Sequence, residues 1–205
     1  MTDADDRPAA PSRVPEATGA ALPSPPDWQR LSSRSGPDLY IFQARIDTMR
    51  NPRTGRAMER VTLETPDWVN VMALTPEREI LIVRQYRFGS HRVSTEIPAG
   101  MVEADESHEQ AARRELLEET GYAAERWTYL GSVEPNPAFH DNRCHHWLAE
   151  GARRVTDPAP DGGEDIRLVR MPLDTFHAML LEGRIDHSLV VSAASHVLDL
   201  RRRAL

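Results

Sequence analysis

Cysteine is almost missing from this chain: among its 205 residues, Cys144 is the only one. A single cysteine excludes an internal disulfide framework and leaves no cysteine cluster that would bind structural zinc. We therefore expect a protein of a reducing compartment, the cytoplasm.

The chain also has fewer positive than negative charges and lacks long apolar runs. The chain carries 32 Asp and Glu against 25 Lys and Arg, a formal net charge of -7, so it lacks the basic surface that attracts a nucleic-acid backbone. No segment is apolar over the length of about 20 residues that a membrane-spanning helix needs. The first residues carry acids where a secretory signal needs cations. We expect neither a nucleic-acid partner nor a membrane association.

Large apolar side chains are scarce over residues 1–26, where Pro, Ala and Ser are frequent. Such a segment cannot bury enough surface to offset the entropy lost on ordering, so we predict a disordered arm. Two strand-like stretches around the turn sequence NPRTGR predict a β-hairpin within a subdomain over residues 27–65. Residues 66–205 are expected to form the main domain.

The pattern in the main domain predicts an α/β fold in which a mixed sheet lies between helices. Strands are expected at residues 67–74, 79–88, 126–134, 144–152 and 166–173. Two late helices are expected from about Asp174 and over residues 188–203, opened by Asp174 and Ser188 as N-caps.

A middle helix is expected over residues 108–120 because both of its ends are marked in the sequence. Ser107 and Gln110 have the spacing of a capping box, which satisfies backbone N–H groups at the helix start. Gly121 supplies the stop signal. This helix carries the residues that are richest in chemical information.

Three carboxylates, Glu115, Glu118 and Glu119, fall on one face of this helix near its end, with Leu116 and Leu117 on the packing side. A helix end carries partial negative charge and the acids repel one another, so local stability does not select them. A hard divalent cation such as Mg²⁺, which binds several oxygens, removes both penalties. The residues alone leave a solvated acidic face as the alternative.

The stretch around these acids resembles the Nudix box, Gx5Ex7REUxEExGU, in which U is a bulky aliphatic residue. Tyr122, at the final packing position, is the one departure from the pattern. The specified positions are too many for a chance match to be a good explanation. They are occupied by Gly100, Glu106, Arg114, Glu115, Leu116, Glu118, Glu119 and Gly121.

The resemblance implies a Nudix hydrolase, an α/β/α sandwich that uses Mg²⁺ or Mn²⁺ to hydrolyse a nucleoside diphosphate linked to another moiety. Carried over by position, Glu115, Glu118 and Glu119 are the metal ligands, and Glu115 and Glu119 act in catalysis through the metal. The backbone carbonyl of Ala99 often joins them in one branch of the family. We also expect Glu119 to be exposed.

Within the box, Glu106 and Arg114 are expected to form an ion pair that holds the loop to the helix. Upstream of it, RQYR at Arg84–Arg87 and EIPAG at Glu96–Gly100 resemble the ADP-ribose and nucleotide-sugar pyrophosphatase branch. Pro137, sixteen residues after Gly121, has a spacing associated with the same branch. The implied substrate is a nucleoside diphosphate sugar of the GDP-mannose or ADP-ribose type. Members of this branch commonly add an N-terminal sheet that takes part in a dimer, which implies a homodimer.

Candidate substrate-binding residues lie beside the box. Arg84 and Arg87 are expected on one side of their strand, where they meet pyrophosphate oxygens or, alternatively, form surface ion pairs. Glu96 is expected to contact substrate or to cap the loop backbone. Trp28 is a candidate for stacking on a nucleobase, and Asn136 for binding sugar hydroxyls or satisfying a turn.

The general base is expected outside the box helix, because all three of its acids are assigned to metal. Similarity to the branch implies Glu164, with Asp165 as the second choice, in a glycine-containing loop that can close over substrate. An ordinary polar loop is the alternative. Two other functions stay open: hydrolysis of nucleoside triphosphates or dinucleoside polyphosphates, and nucleotide-sugar binding without catalysis.

Overall fold

The protein is described by a computed structural model that covers residues 24–160, 163 and 165–201. By their internal contacts these residues divide into two compact units, 24–33 with 47–60 and 34–46 with 61–201. The arm expected over residues 1–26 lies outside the described part except for residues 24–26, so its disorder stays a prediction.

The structure contains twelve strands and three helices in its described part. The strands are β1 (Gln29–Asp38), β2 (Gln43–Arg50), β3 (Ala57–Glu64), β4 (Trp68–Leu74), β5 (Glu79–Arg87), β6 (Arg92–Glu96), β7 (Ala99–Met101), β8 (Tyr122–Ala123), β9 (Arg126–Val133), β10 (Cys144–Glu150), β11 (Arg153–Arg154) and β12 (Ile166–Pro172). The helices are α1 (His108–Thr120), α2 (Leu173–Leu181) and α3 (Ser188–Ser195). None of the helices is long and apolar enough to cross a membrane.

The N-terminal strands form a sheet in the order β1-β2-β3. The expected hairpin corresponds to β2 and β3, joined by a turn in which the Gly55 N–H donates to the Asn51 carbonyl at 2.8 Å. Strand β1 was not expected, because QRLSSRSGPD contains Gly and Pro and little β-branched character. In the smaller unit, the Ser33 hydroxyl donates to Asp47 at 2.6 Å.

The main sheet is mixed, as predicted, and follows the order β12-β5-β4-β10-β9. Strands β4 and β10 run parallel, and the other pairings in this sheet are antiparallel. Alternate residues of β4 serve opposite faces: Val69 and Val71 pack with α1, and Met72 packs with α2 and α3. The expected α/β/α sandwich is therefore present.

Strands β4 and β5 diverge, and this divergence opens the sheet where the box begins. They pair through Leu74 and Ile80 next to their connecting turn. Farther along, β6 pairs with β5 and β7 pairs with β4, while the Pro98 carbonyl accepts the Val71 N–H at 2.8 Å. The segment from Glu96 to Gly100 thus crosses between two strands and presents its backbone to the space beside them.

Helix α1 has the predicted bounds, and its caps explain why. The Ser107 hydroxyl accepts the Gln110 N–H and the Gln110 side chain accepts the Ser107 N–H, which completes the capping box. Gly121 ends the helix with φ 73°, a left-handed conformation suited to glycine, and its N–H donates to Leu117. A Cβ at Gly121 would also lie 2.3 Å from the Thr156 carbonyl oxygen.

The two late helices correct the prediction at their ends. Their N-caps are Pro172 and His187, without a side-chain capping bond, so Asp174 and Ser188 do not open them. Helix α3 ends at Ser195 instead of reaching residue 203. Beyond this end, the Asp199 carboxylate accepts the Arg201 N–H, and the Asp199 carbonyl lies 2.8 Å from His177 Nε2.

Candidate active site

A cavity of about 590 Å³ lies in the larger unit, between the box residues Gly100–Glu119 and the start of α3. Its walls differ in chemical character. One wall is acidic and consists of Glu115, Glu118 and Glu119, which we call the acid ridge. Another carries Arg87, Glu96 and His187, which we call the Glu96 cluster. A third is apolar and includes Ile41, Phe42, Trp68, Val69, Ile97, Leu189 and Val190.

Gly100 lets the acid ridge approach the strand. A Cβ at this position would lie 1.9 Å from Glu115 Oε1 and 2.1 Å from the carboxyl carbon. Any larger residue must therefore displace the Glu115 carboxylate, which explains physically why the first residue of the box is glycine.

Arg114 is the cation that this ridge contacts. Its Nη1 donates to Glu115 Oε1 at 2.7 Å and to Glu118 Oε2 at 3.0 Å, and its Nη2 donates to the Met101 carbonyl at 2.9 Å. The expected ion pair with Glu106 is present at 2.7 Å. Hydrogen bonds from Arg114 hold the pKa of the Glu106 carboxyl below its ordinary value. Glu106, followed by Glu115 and Glu118, in turn raises the pKa of Arg114.

Glu119 is buried, with 3% of its surface exposed. The expectation of an exposed Glu119 was wrong, as was the placement of Leu117 on the packing side, since Leu117 is 39% exposed. The covering segment explains the burial: Glu119 Oε2 accepts the backbone N–H of Ala99 at 3.0 Å. The backbone of β7 therefore contacts α1 at Ala99. The group that makes this contact is the Ala99 N–H, whereas the carbonyl was the group expected at the metal.

The ridge has the donor chemistry that Mg²⁺ or Mn²⁺ requires. All three side chains supply carboxylate oxygens to one cavity, and hard divalent cations prefer oxygen ligands. As they stand, no three metal-binding side chains in the described ranges are arranged to hold an ion, and at the ridge Glu115 and Glu118 are turned to Arg114. The three carboxylates therefore fit a metal, which would take the place of the Arg114 guanidinium at Glu115 and Glu118.

The Glu96 cluster is built on a carboxylate that is 2% exposed. Arg87 binds it in bidentate fashion, at 2.8 Å from Nε to Oε1 and 2.7 Å from Nη2 to Oε2, and His187 Nε2 lies 3.7 Å from Oε2. Burial raises the pKa of the Glu96 carboxyl, but the hydrogen bonds and charge of Arg87 outweigh it and the pKa lies below its ordinary value. Glu96 therefore orients two basic side chains at the cavity.

Arg84 does not join Arg87. The expectation that both lie on one side of their strand was wrong, because they are three residues apart in β5, which pairs with β6 without interruption over Val83–Arg87. Successive strand residues alternate between faces, so an odd separation places the two arginines on opposite faces. Of Arg84 and Arg87, only Arg87 is among the described residues that line the cavity.

Other expected binding residues have local partners. Trp28 belongs to the smaller unit, where the Arg60 guanidinium lies over its ring at 5.4 Å. Asn136 forms a turn in which its carbonyl accepts the N–H groups of Phe139 and His140, and it is not among the described residues that line the cavity. Glu164 lies outside the described residues, while Asp165 is 3.4 Å from Arg167 on the surface.

The aromatic side chains at the cavity are Phe42 and Trp68, which the sequence did not single out. Each lies within a strand or next to one, in a pattern typical of core residues. His187 was missed as well, because a single histidine before a short helix matches no motif. Only the topology, which brings the start of α3 to the end of β6, reveals it.

A buried polar network fixes α3 behind the cavity. Asn70, on the cavity wall, donates to the Leu189 carbonyl at 3.0 Å and contacts His146 Nδ1 at 2.7 Å. His146 Nε2 lies 3.0 Å from the Ser192 hydroxyl. Burial lowers the pKa of His146 to about 4, so the ring is neutral near pH 7 and acts as a structural hydrogen-bonding group.

Comparison with known proteins now defines the class. A family model described as the NUDIX domain matches residues 65–192, more than half of the chain. The chain belongs to the Nudix family.

Individual relatives narrow the class further. An ADP-ribose pyrophosphatase of Mycobacterium tuberculosis is 31% identical over 168 residues, 81% of each chain. A methanol dehydrogenase activator of Bacillus methanolicus is 33% identical over 77% of this chain and 85% of its own. A solved structure described as an ADP compounds hydrolase aligns with a TM-score of 0.74 over 86% of this chain and 95% of its own, at 21% identity, which shows the fold alone. This chain is a hydrolase of the Nudix pyrophosphatase class.

Proposed function

We propose that this protein is a Mg²⁺-dependent enzyme that hydrolyses the pyrophosphate bond of a nucleoside diphosphate sugar, releasing a nucleoside monophosphate and a sugar phosphate. The observation that carries the proposal is that the acid ridge and the Glu96 cluster line the same cavity. Both phosphates of a diphosphate carry negative charge, so its binding requires more than one cation in the cavity. Arg87 supplies one, and a metal held by the ridge supplies the other.

The side chains divide the work as follows. Glu115, Glu118 and Glu119, with the Ala99 backbone, are the groups that would hold the metal, while Arg114 keeps its bonds to Glu106 and Met101. The bound metal supplies charge neutralisation and a water of lowered pKa. Arg87 donates charge-assisted hydrogen bonds to the phosphate oxygens. Glu164 is the proposed general base, and Asp165 is the alternative.

ADP-ribose is the leading substrate, because two of the relatives at 30% identity or more are ADP-ribose pyrophosphatases, those of Bacillus subtilis and Mycobacterium tuberculosis. GDP-mannose is the second candidate and differs in base and sugar, not in the bond that is cleaved. Phe42 and Trp68 offer apolar surface to either base.

The test is product analysis of the full chain with Mg²⁺ and ADP-ribose, GDP-mannose, UDP-glucose or GTP. We expect AMP and ribose 5-phosphate from ADP-ribose. Glu119→Gln should lower turnover at least about hundredfold, because it removes a ligand charge from the metal. It should still fold, because an amide of the same size can accept the Ala99 hydrogen bond. Glu164→Gln tests the base separately, and an unchanged rate would move that role to Asp165.

Three results would oppose the proposal. Binding of ADP-ribose without turnover would identify a sensor, and hydrolysis of GTP alone would identify a triphosphate pyrophosphatase. Normal activity of Glu119→Gln would remove the metal assignment. Circular dichroism spectra of the variants must match the wild type for these outcomes to count.

We also propose a homodimer formed through the N-terminal sheet. Strand β1 is exposed along almost its whole length and is an edge strand, which presents unpaired backbone groups. Trp28 and Leu31 are 40% and 39% exposed. Light scattering should give twice the chain mass for the wild type, and Leu31→Glu should shift it toward the monomer. A monomeric wild type would refute the proposal.

A further inference from the structure

Three polar side chains form a hydrogen-bonded chain on the α1 side of the main sheet. The Tyr129 hydroxyl lies 3.0 Å from His145 Nδ1, and His145 Nε2 lies 3.0 Å from Asp67 Oδ2. These three described residues do not line the cavity of the acid ridge. A hydroxyl, a histidine and a carboxylate in this order have the arrangement of an activated nucleophile, in which the histidine takes the proton and the carboxylate orients the histidine.

A β-bulge in β9 brings Tyr129 to this side of the sheet. Strands β9 and β10 pair in register as far as Gly131, after which Trp147 pairs with Tyr129, so β9 contains one extra residue. Gly131 has φ 115°, a conformation suited to glycine. A regular ladder would place Tyr129 opposite Leu148, which packs with α2 and α3 on the other side. Bulges of this kind often re-aim a side chain next to a reactive site.

The hydrogen bonds of Asp67 determine where the protons lie. Its carboxylate also accepts the Arg143 N–H at 2.8 Å. Burial acts to raise the pKa of the Asp67 carboxyl, but the hydrogen bonds from Arg143 and His145 outweigh it, and the pKa lies below its ordinary value. An ionised carboxylate only accepts hydrogen bonds, so His145 Nε2 carries the proton. The Nδ1 of the neutral ring then accepts the O–H of Tyr129.

Aromatic neighbours hold the histidine and the phenol in place. The His108 ring stacks on His145 with centroids 4.2 Å apart and an interplanar angle of 7°, and it stacks on Tyr129 at 5.0 Å. Trp147 Nε1 donates to His108 Nδ1 at 3.2 Å, and the Trp147 ring lies 5.1 Å from that of Tyr129. The base and the nucleophile are therefore preorganised, while Tyr129 is still 44% exposed.

We propose that Tyr129 is a nucleophile and a site of covalent modification by activated esters, with His145 as its general base and Asp67 as the residue that orients His145. The phenol oxygen forms a bond to the acyl carbon, and the bond from that carbon to the leaving oxygen breaks. The phenol proton passes to His145 Nδ1, and the leaving group departs as an anion. The site is separate from the cavity, so it does not depend on the proposed function.

The chain offers few competing acceptors for an acyl group. Its sequence contains no lysine. Cys144 is buried, and burial raises the pKa of its thiol to about 12, so the reactive thiolate is scarce. Tyr86 is a matched control within the same molecule, because it is 45% exposed, close to the value for Tyr129, but its ring packs on Phe88 and not on a histidine.

The test is acetylation of the full chain by p-nitrophenyl acetate at neutral pH, with peptide mass spectrometry to measure the rate at each tyrosine. We expect Tyr129 to be acetylated about a hundredfold faster than Tyr86, at the lower end of what a positioned general base contributes. His145→Gln should lower the rate at Tyr129 to that at Tyr86 and leave Tyr86 unchanged. Circular dichroism spectra of this variant and the wild type should coincide.

The orienting role of Asp67 has a spectroscopic readout. NMR shifts of the imidazole nitrogens should show the His145 proton on Nε2 in the wild type. In Asp67→Asn the new amide can donate as well as accept, so we expect a mixture of the two tautomers and slower acetylation of Tyr129.

Three outcomes would overturn the proposal. Equal acetylation of Tyr129 and Tyr86 in the wild type would do so without any variant. A rate at Tyr129 that His145→Gln leaves unchanged would show that the histidine is not the base. A wild-type His145 that carries its proton on Nδ1 could not accept the phenol proton there, and the hydrogen-bonded chain would then be structural only.

Discussion

The acid ridge and the Glu96 cluster face one cavity, but they combine the same types of residue in opposite proportions. In the ridge, the carboxylates of Glu115, Glu118 and Glu119 line the cavity, and Arg114 donates hydrogen bonds to two of them, Glu115 and Glu118. In the cluster, one buried carboxylate is matched by Arg87, with His187 beside it. The first wall is therefore rich in carboxylate oxygens, whereas in the second a single carboxylate is bonded through both of its oxygens to one arginine.

Under the proposed function, this difference lets one cavity take up both a metal and a diphosphate. Unbalanced carboxylates in a cavity repel one another and favour any divalent cation that reaches them. A paired arginine and glutamate attract a metal much less, but the bidentate bond holds the guanidinium in one orientation at the cavity wall. Electrostatic preorganisation of this kind is where phosphoryl-transfer enzymes obtain much of their rate.

The largest expected effect comes from moving one carboxylate of the ridge without removing it. In Gly100→Ala the new Cβ would occupy a point 1.9 Å from Glu115 Oε1, so the carboxylate must shift by an ångström or more. A displacement of about 1 Å can cost roughly a hundredfold in rate. We expect turnover to fall by about that factor, and stability to change little, because the displaced atoms are the end of a flexible side chain.

A double-mutant cycle shows whether Glu115 carries this effect. In a Glu115→Ala background the clash is absent, so Gly100→Ala should cause no further loss of turnover. Additive losses would mean that Gly100 acts through the loop backbone. Thermal denaturation of all three variants separates a misplaced ligand from a damaged fold.

The sequence predicted the ridge much better than the cluster, and the reason is the range of the interactions. Helix α1 and its capping box depend on residues close in sequence, so their spacing reveals them, and the resemblance of the box implied the Glu106–Arg114 pair. Position on the helix did not reveal the burial of Glu119, because the covering segment comes from β7. The mixed sheet between helices followed from strand and helix patterns, but the order of its strands, β12-β5-β4-β10-β9, did not.

The cluster depends on contacts that sequence spacing does not encode. Arg87 and Glu96 meet because β5 and β6 pair, and His187 reaches them from the other end of the domain. The pattern RQYR indicated both arginines, but only strand alternation tells which of the two faces the cavity. The general base cannot be compared in this way, since Glu164 lies outside the described residues.

A smaller effect is expected when the balance of the cluster is broken. Arg87→Ala leaves Glu96 buried without its bidentate partner, and removing one partner of a buried pair is costly. Because the Arg87 side chain is itself 44% exposed, we expect a loss of about 2 kcal/mol, below the full cost of a buried pair. The double variant Arg87→Ala/Glu96→Gln should recover about half of it. Arg84→Ala is the matched control, and its effect on stability should stay within about 0.5 kcal/mol.

The pH dependence of stability shows whether charge is responsible. Arg87 holds the pKa of Glu96 below its ordinary value of 4.5, so the pair's contribution to stability is fully present above that pH and is lost as the pH falls through the lower folded value. Urea denaturation of Arg87→Ala and the wild type should therefore differ most at neutral pH and converge below pH 4.5. A difference that stays constant down to pH 3 would mean that Arg87 stabilises the fold by packing, and the cluster would then lose its role as an electrostatic counterpart of the ridge.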